Sequence, residues 1–244
     1  MGKRTLVGAA SALALLFGTV MDGRAAQAPS ALDAVMAPGA KVAGASIGEW
    51  SGRWWRWAYA APVWPFLDPD GRICDLDQEG PVWFLAGTDG SFNPQRECVV
   101  PEGKYLLVPI INMVYREPDA AHPRKCAEMQ SGAALNNDHL VSAVVLLDGQ
   151  PLPDVAHYRA RSNGCFVIDH DEAGADLHAA ADGYWLMLRP LSPGRHTLTI
   201  GANYGSPDKS YGHMLQNFEY VLHIGARTLM SRAGRARPAG LGSI

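Results

Sequence analysis

Several common signatures are missing from this chain. No C-x-x-C spacing occurs among its four cysteines and no H-E-x-x-H among its eight histidines, which removes the commonest zinc-site patterns. Charged residues make up only 18%, with acids outnumbering bases to a formal charge of −3. The basic face that nucleic-acid binding needs is therefore absent, and no nucleic-acid partner is expected. Apolar runs of membrane length are lacking too: Leu6 to Val20 spans fifteen residues, short of the ~20 that a helical span requires. No later stretch approaches it. Regular strand-helix alternation is also missing, which argues against a parallel doubly wound sheet.

What is present begins with Met1-Gly2-Lys3-Arg4, that apolar run, and small residues through Ala25, Ala26 and Ala28. A positive start, an apolar middle and a small-residue end read as a signal peptide over 1–28, cleaved between about 25 and 28. Its removal takes away Lys3, Arg4, Arg24 and Asp22 and leaves a formal charge of −5. About 215 residues remain, enough for one substantial core or at most two small ones. The mature chain is expected to be periplasmic or extracellular, with no membrane span. Cys74, Cys98, Cys126 and Cys165 form an even set that suits such a compartment, and four cysteines allow three pairings. The sequential one, Cys74 with Cys98 and Cys126 with Cys165, is favoured because each pair flanks a separate segment. Each bridge would contribute about 3 kcal/mol, mostly by restricting the unfolded chain.

Five of the seven tryptophans fall within Trp50 to Trp64. Trp50, Trp54 and Trp57 stand at i, i+4 and i+7 and form one apolar stripe on a helix, which Ala61 extends. Ser46-Ile47-Gly48-Glu49 is a capping box ahead of it, and Pro62 ends it. The helix is expected over 47–60. Before it, 29–45 is rich in Ala, Gly and Pro and reads as a flexible arm. After it, 62–80 reads as an irregular loop pinned by Cys74.

From Pro81 the pattern changes to short β runs bounded by turn residues. Val82 to Ala86, Cys98 to Val100, Tyr105 to Val108, Val141 to Leu147, Cys165 to Ile168, Tyr184 to Leu188 and His196 to Ile200 are strands in this reading. Pro101-Glu102-Gly103-Lys104 reads as a turn, Ile110 to Asn112 extends a strand past Pro109 at a bulge or edge, and Asp148-Gly149 signals a hairpin. Phe218, Tyr220, Leu222 and Ile224 alternate with Glu219, Val221 and His223, giving a strand with one buried face. A second, weaker helix fits between Pro123 and Asp138, a polar loop covers Asp169 to Asp182, and 226–244 reads as a disordered basic tail. About eight turn-punctuated strands indicate a mainly β protein. The expected architecture is one antiparallel β-sandwich or jelly-roll-like domain over 46–225, with the tryptophan helix covering an end or a face.

Trp50-x-x-Arg53-Trp54-Trp55-x-Trp57, Gly80-Pro81-Val82-Trp83-Phe84-Leu85-Ala86-Gly87, Cys98-Val99-Val100-Pro101-x-Gly103-Lys104, Leu147-Asp148-Gly149, Asp182-Gly183-Tyr184-Trp185 and Pro193-Gly194-x-His196-Thr197 occur in that order. Together they resemble a group of secreted bacterial proteins of unknown function, over roughly Ile47 to Ile224. The resemblance implies export, a single β-rich domain and the pairing of Cys74 with Cys98, while Cys165 is unusual for the group. It brings no catalytic residue.

Three constellations carry chemistry. The tryptophan helix offers a sugar-stacking platform, with Trp55, Tyr59 and Trp64 as exposed rings and Glu49, Arg53 and Arg56 as hydroxyl partners; the alternative is that its aromatics are core and that Glu49 pairs with Arg53. Asp169, Asp171, Asp176 and His178 offer a weak calcium or zinc site. Ala173 and Ala180, however, stand where a calcium loop places ligands at positions 5 and 12, which favours a solvated loop. His196 and His223 fall in strands and read as hydrogen-bonded strand residues. No catalytic residue and no cofactor follow from the sequence. The expected function is non-catalytic binding of a glycan or cell-envelope polymer by an exported β-sandwich. The alternatives are a secreted hydrolase or lyase drawing on Glu49, the Asp169 to His178 loop and a strand histidine, and a self-assembling structural subunit.

Overall fold

The computed structural model describes residues 31–205 and 212–226, together with Gly2. The signal-peptide reading and most of the basic tail lie outside the described residues. Among the described residues there are twelve strands: β1 Lys41–Val42, β2 Ala45–Ser46, β3 Val82–Phe84, β4 Gln95–Val100, β5 Tyr105–Arg116, β6 Leu140–Leu147, β7 Gln150–Pro151, β8 Arg159–Arg161, β9 Phe166–His170, β10 Asp176–Leu188, β11 Gly194–Tyr204 and β12 Met214–Ile224. The α-helices are α1 Ala31–Ala34, α2 Ile47–Ala60 and α3 Cys126–Ala134.

The protein is a mainly β, antiparallel-rich sandwich with few helices. One sheet runs β3-β5-β10-β8, with β9 also on β10; the facing sheet runs β4-β12-β11-β6-β7. The sandwich core lies between them. Leu106, Val108, Leu186 and Leu188 from the first sheet meet Val145, Leu147, Leu198, Ile200, Phe218, Tyr220 and Leu222 from the second. On β10 the side chains alternate with period two. Tyr184, Leu186 and Leu188 face the other sheet, whereas Ala179, Ala181, Trp185 and Met187 face outward into a second core beneath α2. Covered on both sides, β10 is buried from Ala179 to Leu188 and apolar there except at Asp182.

The tryptophan helix therefore forms a third layer. Its observed bounds match the expected ones, and Ser46 and Glu49 make the capping box in both directions. Asp148 and Gly149 both have positive φ, 51° and 75°, as the two central residues of a type I′ hairpin require, and they join β6 to β7. The expected irregularity near Pro109 is a bulge, where the β5–β10 register slips opposite Tyr184 and Trp185. Both bridges form as favoured, Cys74 to Cys98 with Cα atoms 6.0 Å apart and Cys126 to Cys165 at 5.7 Å.

Two expectations need correction, and one expected turn joins strands of different sheets. The turn at Pro101 to Lys104 does not close a hairpin, because β4 runs parallel to β12 in one sheet while β5 pairs with β10 and β3 in the other. The chain crosses the sandwich there. The polar loop over Asp169 to Asp182 is instead the β9–β10 hairpin, in which Leu177 and Ala179 to Ala181 are buried; alanines gave no apolar alternation to read. Nor is 31–45 a loose arm. The Met36 amide donates to Met187 O at 2.9 Å, the Arg189 amide to Ala34 O at 2.7 Å, and Val35, Met36, Val42 and Ala45 are buried. Four apolar side chains spaced through a Gly/Ala/Pro segment suffice to anchor it.

Candidate functional site

Helix α2 organises the site because it is covered along two stripes. The first, Trp50, Trp54 and Trp57, packs onto the outer face of β3, β5 and β10. Their indole N–H groups donate to the carbonyls of Val42 at 3.0 Å, Leu85 at 2.7 Å and Leu76 at 2.9 Å. The second stripe is Gly48, Gly52, Trp55 and Tyr59, again at helical spacing. A Cβ on Gly48 would overlap the carbonyl oxygen of Arg161, and one on Gly52 would sit 3.3 Å from the Phe166 ring. These glycines let β8 and β9 lie close along the helix.

That close approach corrects one expectation. Trp55 is not an exposed ring: it is only 8% exposed, edge-on to Trp54 at 4.9 Å. Tyr59, further along, is half-buried, and Trp64 is 47% exposed. Tyr59 and Trp64 have ring centroids 6.1 Å apart, and Trp64 stacks on Phe66 at 5.4 Å and 28°. Val63 and Leu67 beside them are also exposed. The Arg116 guanidinium sits 5.6 Å from the Tyr59 ring centre. Burial pushes the Tyr59 phenol above its ordinary range, with Arg116 opposing, so it stays a neutral hydroxyl.

The uncovered ridge of α2 carries Glu49, Arg53 and Arg56. All three line a cleft of about 240 Å³ with Gly48, Gly52, Ser162, Asn163 and Phe166. Arg53 lies over the Trp50 ring at 4.3 Å and Arg56 over Phe166 at 5.8 Å. The expected Glu49–Arg53 pair does not close to ion-pair distance. Glu49 instead accepts from the Ser46 amide at 2.7 Å and the Ser46 hydroxyl at 2.8 Å, and those bonds, the amide first, hold its carboxyl below the ordinary range. It is a carboxylate committed to the helix cap, unsuited to general-acid work. Gly44-Ala45-Ser46-Ile47-Gly48 also spells G-x-S-x-G where β2 meets α2. A nucleophile elbow holds its serine in a strained turn, whereas Ser46 has φ −72° and serves as the cap.

The proposed metal ligands are not brought together. Asp171 accepts from the amides of Ala173 and Ala175 at 2.9 and 2.8 Å and so closes the β9–β10 turn. Asp176 pairs with His170 at 3.0 Å, Asp169 accepts from the His170 amide, and His178 turns to Glu117. No three His, Cys, Asp or Glu side chains among the described residues are grouped to hold a metal ion. Strand pairing spreads these residues along both arms of a hairpin, where a metal loop would have wrapped them around one point.

The groups a hydrolase would need are likewise separate. Glu49 belongs to the α2 cleft and His178 to Glu117, while His196 lines a different cavity of about 360 Å³. There His196 Nδ1 lies 2.7 Å from Asp148 Oδ2, and Nε2 lies 3.3 Å from Ser192 Oγ and 2.9 Å from Ser192 O. The ring ties two turns together, the one at Asp148 and the one at Ser192. His223 bonds Glu97 at 2.6 Å across β12 and β4, as a strand residue.

Two buried polar centres were not legible in advance. Asp182, with a side chain 1% exposed, is gripped by Arg159 at 2.8 Å and Arg161 at 2.7 Å and accepts from Asn137; the D-G-Y-W motif was its only trace. Glu117, buried at the end of β5, accepts from the amides of Arg124 at 3.2 Å and His178 at 2.7 Å. Burial alone would raise its pKa, but these bonds and the His178 ring together take it below the ordinary 4.5. A carboxyl lowered on folding adds stability above its unfolded pKa, and that contribution fades as pH falls through the folded value. Glu117→Gln is therefore expected to be less stable than the parent at pH 7, with the gap closing below pH ~4. Urea midpoints measured from pH 3 to 7 for both proteins check this; a gap that stays constant would sink it.

No protein-family model matches the chain, and neither does any curated protein or solved structure.

Proposed function

We propose that this protein is a non-catalytic binding module of the periplasm or cell exterior, holding a glycan or cell-envelope polymer along the exposed side of α2. The observation that carries the reading is the ring series Tyr59, Trp64 and Phe66, open at Trp64, which runs from the end of α2 into the segment after it, beside a helix that also carries the Arg53 and Arg56 cleft. Flat aromatic faces stack on pyranose rings, and guanidiniums bond hydroxyl and acidic groups. Two disulfides fit an oxidising compartment, and no helix among the described residues is long and apolar enough to cross a membrane.

Titration of the purified protein against a broad glycan and envelope-polymer panel, read by tryptophan fluorescence, tests it. Binding to at least one polymer is expected, with Trp64→Ala weakening it about tenfold, the loss of ~1.4 kcal/mol of ring stacking. Flat titrations throughout would remove the reading. The self-assembly alternative draws on Val141, Val144 and Leu215, each more than half exposed on the second sheet. Light scattering separates the two, since a strict monomer leaves that patch without a partner copy.

A further inference from the structure

The α2 cleft carries two arginines side by side. Four arginines elsewhere find carboxylates, Arg72 with Asp70 at 2.7 Å, Arg124 with Glu128 at 3.9 Å, Arg159 with Asp138 and Asp182 at 2.7 and 2.8 Å, and Arg161 with Asp182 at 2.7 Å, while Arg96 is spent on backbone carbonyls and Arg116 sits against Tyr59. Arg53 and Arg56 have no carboxylate within ion-pair distance among the described residues, and Glu49, which lines the same cleft, is spent on Ser46. The two cations stand one helical turn apart and are felt by each other. Burial first, and Arg53 second, pull the Arg56 guanidinium below its ordinary pKa.

Each guanidinium is also laid against an aromatic ring, Trp50 for Arg53 and Phe166 for Arg56. A guanidinium held against a ring has less freedom to lose, which lowers the ordering cost of a bidentate contact. The cleft between them, at about 240 Å³, is the size of a single sugar residue or acidic group, and Asn163 lines its far wall.

We infer that this cleft receives the carboxylate or sulfate of an acidic polysaccharide, held by Arg53 and Arg56, while the chain of sugars continues past Tyr59 to Trp64. The inference rests on the platform reading and adds the chemical class of the polymer: the ligand is anionic. Neutral glycans lack the group that the two guanidiniums are set to bind. Uronate and sulfate share this oxyanion chemistry and are told apart by the test.

The test compares polygalacturonate, dextran sulfate and neutral dextran as ligands for the parent protein and for R53Q/R56Q, R53K/R56K and the distant surface variant Arg195→Gln. Both acidic polymers, or one of them, are expected to bind at 50 mM salt and to weaken at 300 mM, with neutral dextran at least tenfold weaker. R53Q/R56Q should lose tenfold or more. R53K/R56K, which keeps the charge and loses the fork, should fall between, and Arg195→Gln should match the parent. Circular dichroism confirms that each variant is folded, as expected for exposed positions. Preference for polygalacturonate assigns a carboxylate, and preference for dextran sulfate assigns a sulfate. Equal binding of neutral and acidic polymers, unaffected by R53Q/R56Q, would overturn the anionic ligand and leave the platform standing. An equal loss in Arg195→Gln would reduce the effect to bulk charge and overturn the site. Binding to no polymer at all would overturn both readings.

Discussion

Trp54→Ala is expected to lower the unfolding free energy by about 4 kcal/mol, in the upper range for removal of a buried aromatic side chain. The residue is 1% exposed. Its ring meets Trp55 at 4.9 Å, Trp57 at 5.8 Å and Trp185 at 5.5 Å, all tilted or edge-on, so deletion leaves a void whose walls are other large rings and cannot close by small shifts. The Leu85 carbonyl would also lose the indole donor it holds at 2.7 Å. Trp54→Phe separates the two contributions: it keeps most of the ring and drops only the donor, and is expected to cost about 1–2 kcal/mol. Urea denaturation followed by near-ultraviolet circular dichroism measures both. A cost below ~2 kcal/mol for the alanine variant would mean that α2 is a detachable cover rather than the lid of the second core. The consequence reaches the site, because Arg53 and Arg56 ride on the opposite side of the same two turns.

What could be read from the sequence follows from how local each signal is. The α2 boundaries were legible because the capping box, the i, i+4, i+7 tryptophans and Pro62 all lie within seventeen residues and agree. The β12 face was legible because an exposed and a buried side alternate. Trp55 was misread because a helical stripe of glycines does not look like a contact surface. Gly48 and Gly52 bury that side through what they lack, and only the approach of β8 and β9 reveals it. The turn at Pro101 to Lys104 was locally correct, but a turn does not say whether the strands it joins share a sheet. Ala179 to Ala181 hid the first half of β10 in the same way, since small residues mark neither face. The candidate site was half legible. Glu49, Arg53 and Arg56 do share one cleft and Trp64 is open, yet Ser162, Asn163 and Phe166 arrive from more than a hundred residues away.

Arg96 is the residue whose loss is expected to couple stability most directly to the site. It lies on β4, 2% exposed, and its Nε donates to Asp68 O at 2.7 Å. One terminal nitrogen donates to Ala86 O and Gly87 O, both at 2.9 Å, and to the Tyr220 hydroxyl at 3.1 Å, while the other faces Pro65 O and Phe66 O at 3.4 and 3.5 Å. A single guanidinium thus holds the loop after α2 against the segment that follows β3 and against the middle of β12. The same loop is tightened by the Asp68 carboxylate, which accepts from the amides of Asp70, Gly71 and Ile73, and by the Cys74–Cys98 bridge. Arg96→Ala strips several buried carbonyls of their donor at once, each worth roughly 1–3 kcal/mol when left unsatisfied, and the expected total cost is about 4 kcal/mol because some regain water. Arg96→Lys can serve only part of that fan of acceptors and should cost about half as much. In the lysine variant, which stays folded, the Pro65 to Asp68 loop loses part of its hold, so Trp64 next to it should become more accessible to acrylamide while Trp54 does not. Quenching of single-tryptophan emission is hard to assign among seven rings, so the comparison is made with and without Trp64→Phe in the same background. An unchanged quenching difference would show that the loop keeps its shape without Arg96, and that the aromatic platform is positioned by its own ring stacking.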